Sequence, residues 1–167
     1  MTRRLRASRT TLADEQLAFA WHSASLLLGY PEDDLLAQLE PLHRASHVLP
    51  DEVGGPLRST VVHLERATLD QLQQEYVETF DVESQRDLLS GEGAHSTSVL
   101  DDTGFSGHLC VVLERAAATD PVAGRALLAG CRGALEELRL ALLAQESGWA
   151  GAVQAVTATL PPLTADA

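Results

Sequence analysis

His43 and His47 stand one helical turn apart with Glu40 nearby, a spacing that lets two imidazoles and a carboxylate face one ion. Two imidazoles do not make a metal site, and histidines near a helix end more often meet solvent or the terminal carbonyls. His22, His63, His95 and His108 follow no ligand spacing, although His95 falls in an irregular stretch that could deliver a ligand or a base. Paired acids such as Asp33 with Asp34, or Glu136 with Glu137, leave a helix in different directions and read as solvated faces. Cys110 and Cys131 lack CxxC spacing and read as small core residues, neither a disulfide framework nor a zinc site. GxGxxG, the P-loop, GxSxG, HExxH and the EF-hand pattern are all absent. The expectation is a protein with no catalytic residues, no metal and no cofactor. A small metal-dependent enzyme built on His43, His47 and a loop histidine is the rival.

Charge points toward a polypeptide partner. All 12 basic residues are arginines, against 24 aspartates and glutamates, for a formal net charge of −12. Arg3, Arg4, Arg6 and Arg9 form a basic tail, so the rest of the chain carries eight basic against 24 acidic side chains, or −16. Such a field repels nucleic acid and anionic lipid and draws a basic partner, more strongly at low salt. It also keeps a domain soluble, the plainer explanation. Apolar runs such as Leu26 to Leu28 and Ala141 to Ala144 fall far short of the roughly 20 residues a membrane span needs. Asp14 and Glu15 follow the basic tail where a signal peptide would have its apolar core, so a cytoplasmic location is expected.

The elements that must position these residues are helical. Hydrophobic residues make up 45% of the chain and aromatics only 4%, a balance of Leu, Ala and Val that suits packed helices. Thr11 announces a first helix with Leu17, Trp21, Ala24 and Leu28 on one face, ended by Gly29 and Pro31. A second, opened by Glu32, Asp33 and Asp34, carries Leu35, Leu36, Leu39 and Leu42, and Pro41 is expected to interrupt or kink it. Residues 50–56 read as a turn before a third helix bearing Leu57, Val61 and Leu64. Thr68 and Gln71 box the start of a fourth, with Leu69, Leu72, Tyr76 and Phe80 on one face. Helical pattern resumes at Leu109, continues in one long helix from Pro121 through Leu142, and ends in a helix capped by Ser147. The expected fold is all-α, a single-domain bundle of about seven helices. Residues 1–10 read as a flexible basic tail, 11–163 as the helical domain with an irregular loop over 81–104, and 164–167 as a second tail.

Two segments resemble a known family. Leu26 to Leu35, LLLGYPEDDL, and Glu75 to Asp81, EYVETFD, are similar in order and spacing to the NarJ family, the assembly chaperones of respiratory nitrate reductase. HLCVVLE at 108–114, GRALLAG at 124–130 and SGWAGAVQAVTATLPPL at 147–163 resemble that family's C-terminal helices. The chain departs from the pattern after EYVETFD: the helix pair with a GDTRxRG-like or GESRxRG-like motif has no counterpart, and Asp81 to Gly104 stands in its place. The resemblance is thus to a divergent or shortened member. It implies a NarJ/TorD-type helical fold and a cytoplasmic chaperone. Such a chaperone binds the N-terminal peptide of the nitrate reductase catalytic subunit until molybdenum cofactor is inserted and the subunit docks at the membrane.

Helix-in-groove recognition suits that role, with Leu and Val lining a groove and acids on its rim. Tyr76, Phe80 and Asp81, with Glu78 and Arg86 at the rim, are the candidate client-binding residues, because they match or adjoin EYVETFD. Core packing explains Tyr76 and Phe80 equally well, since residues four apart share one helix face, and Asp81 can simply end the helix. A regulatory or structural helical module, monomeric or a homodimer, is the alternative function.

Overall fold

The computed structural model describes residues 12–80 and 104–161, with backbone only for 104–108. Among these, eight α-helices and one 3₁₀ turn account for the regular structure, and there is no strand. They are α1 Asp14–Leu28, α2 Asp33–Ala45, the 3₁₀ turn Ser46–Val48, α3 Asp51–Glu65, α4 Leu69–Thr79, α5 Gly104–Ala118, α6 Pro121–Ala129, α7 Arg132–Ala144 and α8 Ala150–Ala158. The all-α, single-bundle expectation holds. The two tails, Thr11, and Asp81 to Thr103 of the irregular stretch lie outside the described residues.

α1 is the central strut and packs on α2, α3, α5, α6 and α8. Leu17, Trp21, Ala24 and Leu28 are buried as their spacing requires, and Ala20 and Leu27 widen the stripe until little of the helix faces solvent. Two polar links fix its neighbours. The Trp21 indole N–H donates to Thr159 Oγ1 at 2.9 Å, and the Ser25 hydroxyl donates to the Cys110 carbonyl at 3.1 Å. The other axis of the bundle is α3 against α8. There the Ala152 N–H donates to Thr60 Oγ1 at 2.9 Å, and side chains at Gly148 and Gly151 would collide with the His63 ring and the Pro56 carbonyl. Buried residues from every helix join in one core.

The elements differ from the sequence reading at several places. α3 begins at Asp51, not after Pro56: Pro50 precedes it, Asp51 and Glu52 occupy its positive end, and Pro56 sits inside its second turn. Gly54, read as a turn glycine, is a packing glycine, because a Cβ there would stand 2.7 Å from the Ser46 carbonyl oxygen. α2 continues through Pro41 without interruption. The single long helix divides at Gly130 and Cys131 into α6 and α7. At the far end, α8 starts at Ala150 from a Trp149 cap, with the Ser147 hydroxyl accepting only the Trp149 N–H at 3.3 Å.

α7 ends in a Schellman turn. Glu146 adopts φ 53, and the Glu146 and Ser147 amides donate to the Leu143 and Leu142 carbonyls at 3.0 and 2.9 Å. This turn delivers Gly148 and Trp149 to α3. Because the approach leaves no room at Gly151, Gly151→Ala should cost about 1–3 kcal/mol of stability by overpacking. Gly55→Ala, with nothing within 4 Å of its new methyl, should gain about 0.5–1 kcal/mol. Urea unfolding of the two variants checks this, and equal effects would contradict the packing described.

Candidate functional site

The two segments singled out by sequence pattern meet in space. The Tyr76 hydroxyl, on α4, donates to the Leu28 carbonyl at the end of α1, at 2.8 Å and buried. Tyr30, in the turn between α1 and α2, sets its ring edge-on to Tyr76 with centroids 5.5 Å apart, and Gln73 Nε2 donates to the Pro31 carbonyl at 2.9 Å. A free helix-end carbonyl accepts the hydroxyl, so the bond satisfies one of the groups the end of α1 leaves unpaired. α4 is thereby pinned across the α1–α2 turn.

Beneath this junction lies an aromatic cluster. The Tyr76 and Phe80 rings meet at a 40° tilt with centroids 4.6 Å apart, and both meet Trp149 edge-on at 5.7 and 5.8 Å. Trp149 also touches the His63 ring at 5.4 Å. Trp149 is fully buried, Tyr76 is 8% exposed and Phe80 5%. His63 Nε2 lies 3.1 Å from Glu75 Oε1 but off the direction of a hydrogen bond.

Of the residues chosen from sequence, Tyr76 and Phe80 are therefore packed inward and hold the shape of the site from below. Glu78 faces solvent and accepts from Gln74 Nε2 at 3.1 Å. Asp81 and Arg86 lie outside the described residues. Two surface residues join the site that sequence pattern alone does not mark. Tyr30 is 49% exposed while resting on Tyr76, and Val77 is 58% exposed on α4 beside Glu78. Tyr30 lies within LLLGYPEDDL, followed by the exposed acids Glu32, Asp33 and Asp34, and an aromatic beside a proline turn was the signal available for it.

The histidine pair has a different setting. Glu40 is drawn to Arg44 at 2.8 Å on the surface, and the His43 and His47 rings meet edge-on at 5.3 Å. They line a groove of about 600 Å³ with His63, Arg58, Arg66 and Glu146. Among the described residues, no group of three or more His, Cys, Asp or Glu could hold a metal ion. Cys110 and Cys131 are partly buried beside the core. Burial, with Glu114 adding to it, pushes the Cys110 thiol up to about 12, and burial also raises Cys131, so neither is a thiolate at neutral pH. Among the described residues no helix is long and apolar enough to cross a membrane.

No protein-family model matches the chain, and no curated protein matches it either.

Removing only the Tyr76 hydroxyl tests the junction. Tyr76→Phe should lower stability by about 1–2 kcal/mol, the usual loss for a buried hydrogen bond whose partner is left unpaired. Thermal unfolding reads it, and an unchanged melting temperature would show that ring packing and the Gln73 bond hold α4 without the hydroxyl.

Proposed function

We propose that this chain is an assembly chaperone of the NarJ type, which holds the N-terminal segment of a nitrate reductase catalytic subunit in the cytoplasm while molybdenum cofactor is inserted. The observation that carries this reading is the Tyr76 to Leu28 hydrogen bond. It joins EYVETFD to LLLGYPEDDL, the two segments most like that family, across 48 residues of sequence. A shared junction gives those two segments one purpose, whereas separate helical segments resemble many bundles by chance.

The junction's outer surface has chemistry suited to a basic amphipathic helix. Half-exposed Tyr30 and exposed Val77 offer apolar contact, and Glu32, Asp33, Asp34 and Glu78 add acids around it. Aromatic side chains of this kind, resting on a rigid base, supply contact area at little entropic cost. Tyr76 and Phe80 act from underneath by fixing Tyr30 and α4. Catalysis and a resident cofactor have no part in this role. Steering by the acidic body adds speed to the encounter and makes it salt-dependent.

Calorimetric titration with a synthetic N-terminal peptide of the catalytic subunit should show binding at low salt that weakens steadily as salt rises. Tyr30→Ala should reduce affinity roughly tenfold, about 1.4 kcal/mol, with little change in melting temperature. Tyr76→Ala should lose more affinity than its lowered stability accounts for. No heat of binding at low salt would overturn the proposal, and binding equal to wild type in folded Tyr30→Ala would move the docking surface elsewhere.

A further inference from the structure

On the face formed by the start of α3, by α6 and α7, and by the end of α8, a cavity of about 780 Å³ gathers Arg125, Arg132 and Arg139. Three of the chain's 12 arginines thus line one concavity of a protein whose net charge is −12. Their pairing is uneven. Arg139 is held by Glu136, with Nε donating to Oε2 at 3.0 Å and a second, shorter bond from Nη2 to Oε1. That bidentate pair holds the Glu136 carboxyl below its usual range, chiefly through the hydrogen bond to Arg139, and Arg132 adds a smaller charge effect. Arg132 spends one Nη on the Thr157 carbonyl at 2.8 Å. Its Nε, and the Nε of Arg125, are buried and meet no acceptor among the described residues. Among the described residues, no carboxylate pairs with Arg125 or Arg132.

Buried guanidinium donors without acceptors are costly, and a site that retains two of them is suited to a ligand that supplies the acceptors. The guanidinium fork matches the planar carboxylate and the phosphate better than it matches a monatomic anion. Leu12, Val53 and Leu160 give the wall apolar stretches, between polar Gln154 and Thr157 and the acid Glu52. The volume lies within the range of roughly 300–1,000 Å³ typical of small-molecule sites. We infer that Arg125 and Arg132 form a binding site for a small organic oxyanion, a carboxylate or phosphate group carried on an apolar body. Glu136 occupies Arg139 at the cavity wall in the way the ligand's oxyanion would occupy its two neighbours. The site is separate from the Tyr30 and Tyr76 junction. It is coupled to the core through Thr159, which lines the cavity and accepts the Trp21 indole N–H.

Phenyl phosphate, inorganic phosphate and phenol serve as probes, read by the arginine Nε–H resonances of the full chain in heteronuclear NMR. Phenyl phosphate should shift the Arg125 and Arg132 signals saturably, inorganic phosphate should do so more weakly, and phenol should leave them in place. Arg125→Gln, which breaks no hydrogen bond or ion pair among the described residues, should weaken phenyl phosphate binding at least roughly tenfold, as expected for a lost charged hydrogen bond. Arg132→Lys keeps the charge but loses the fork and should also weaken it. Glu136→Gln frees Arg139 and should tighten it. Non-saturating shifts that sodium chloride reproduces at equal ionic strength would overturn the inference, as would binding unchanged in a folded Arg125→Gln.

Discussion

Trp149 sits where the two halves of the bundle lock together. Its indole is fully buried against Tyr76, Phe80 and His63, and it is carried there by a turn with no space to spare. Gly148 lies against His63 and Gly151 against the Pro56 carbonyl, so α8 can approach α3 only with bare backbone at both positions. Interiors packed this closely transmit displacement, because a side chain cannot shift without moving its neighbours. The chain of contact runs outward from Trp149 to Tyr76, from Tyr76 to the Leu28 carbonyl, and from the Tyr76 ring to Tyr30 at the surface. A surface residue is thus aimed by a tryptophan more than a hundred positions away in sequence.

Helix faces were the most legible feature, and for a simple reason. The Leu17, Trp21, Ala24 and Leu28 stripe repeats with the period of the helix, and the Thr68 and Gln71 box forms as spaced, with Gln71 N–H to Thr68 Oγ1 at 3.3 Å and Thr68 N–H to Gln71 Oε1 at 3.0 Å. Glycine and proline misled, since they mark turns by propensity but serve packing here. Gly54 lies inside a helix to admit the 3₁₀ turn, and α3 runs on through Pro56 although proline supplies no N–H for the Glu52 carbonyl one turn back. Gly130 reads as one weak residue inside a periodic run, yet α6 and α7 part beside it.

Site residues were legible only in part. EYVETFD points to Tyr76 and Phe80, but a pattern of spacing cannot tell a ring that faces a partner from one that faces Trp149. Burial decides that. Tyr30 is not legible in the sequence because exposure at a turn depends on what lies beneath it. The arginine cavity was invisible for a related reason: Arg125, Arg132 and Arg139 recur every seven residues, but a helix break separates the first from the others, and only the end of α8 closes the concavity around them.

The acidic composition takes on local meaning in this arrangement. Glu32, Asp33 and Asp34 follow directly on Tyr30, and all three face solvent, so the aromatic contact and the field that would draw a basic helix lie side by side. Hydrogen exchange of the whole chain, with and without the reductase N-terminal peptide, tests this most directly. Slowed exchange over residues 26–35 and 75–80 is the predicted footprint. Saturating peptide that slows exchange only on the face of α6 and α7, or nowhere, would contradict docking at the α1–α2 and α4 junction.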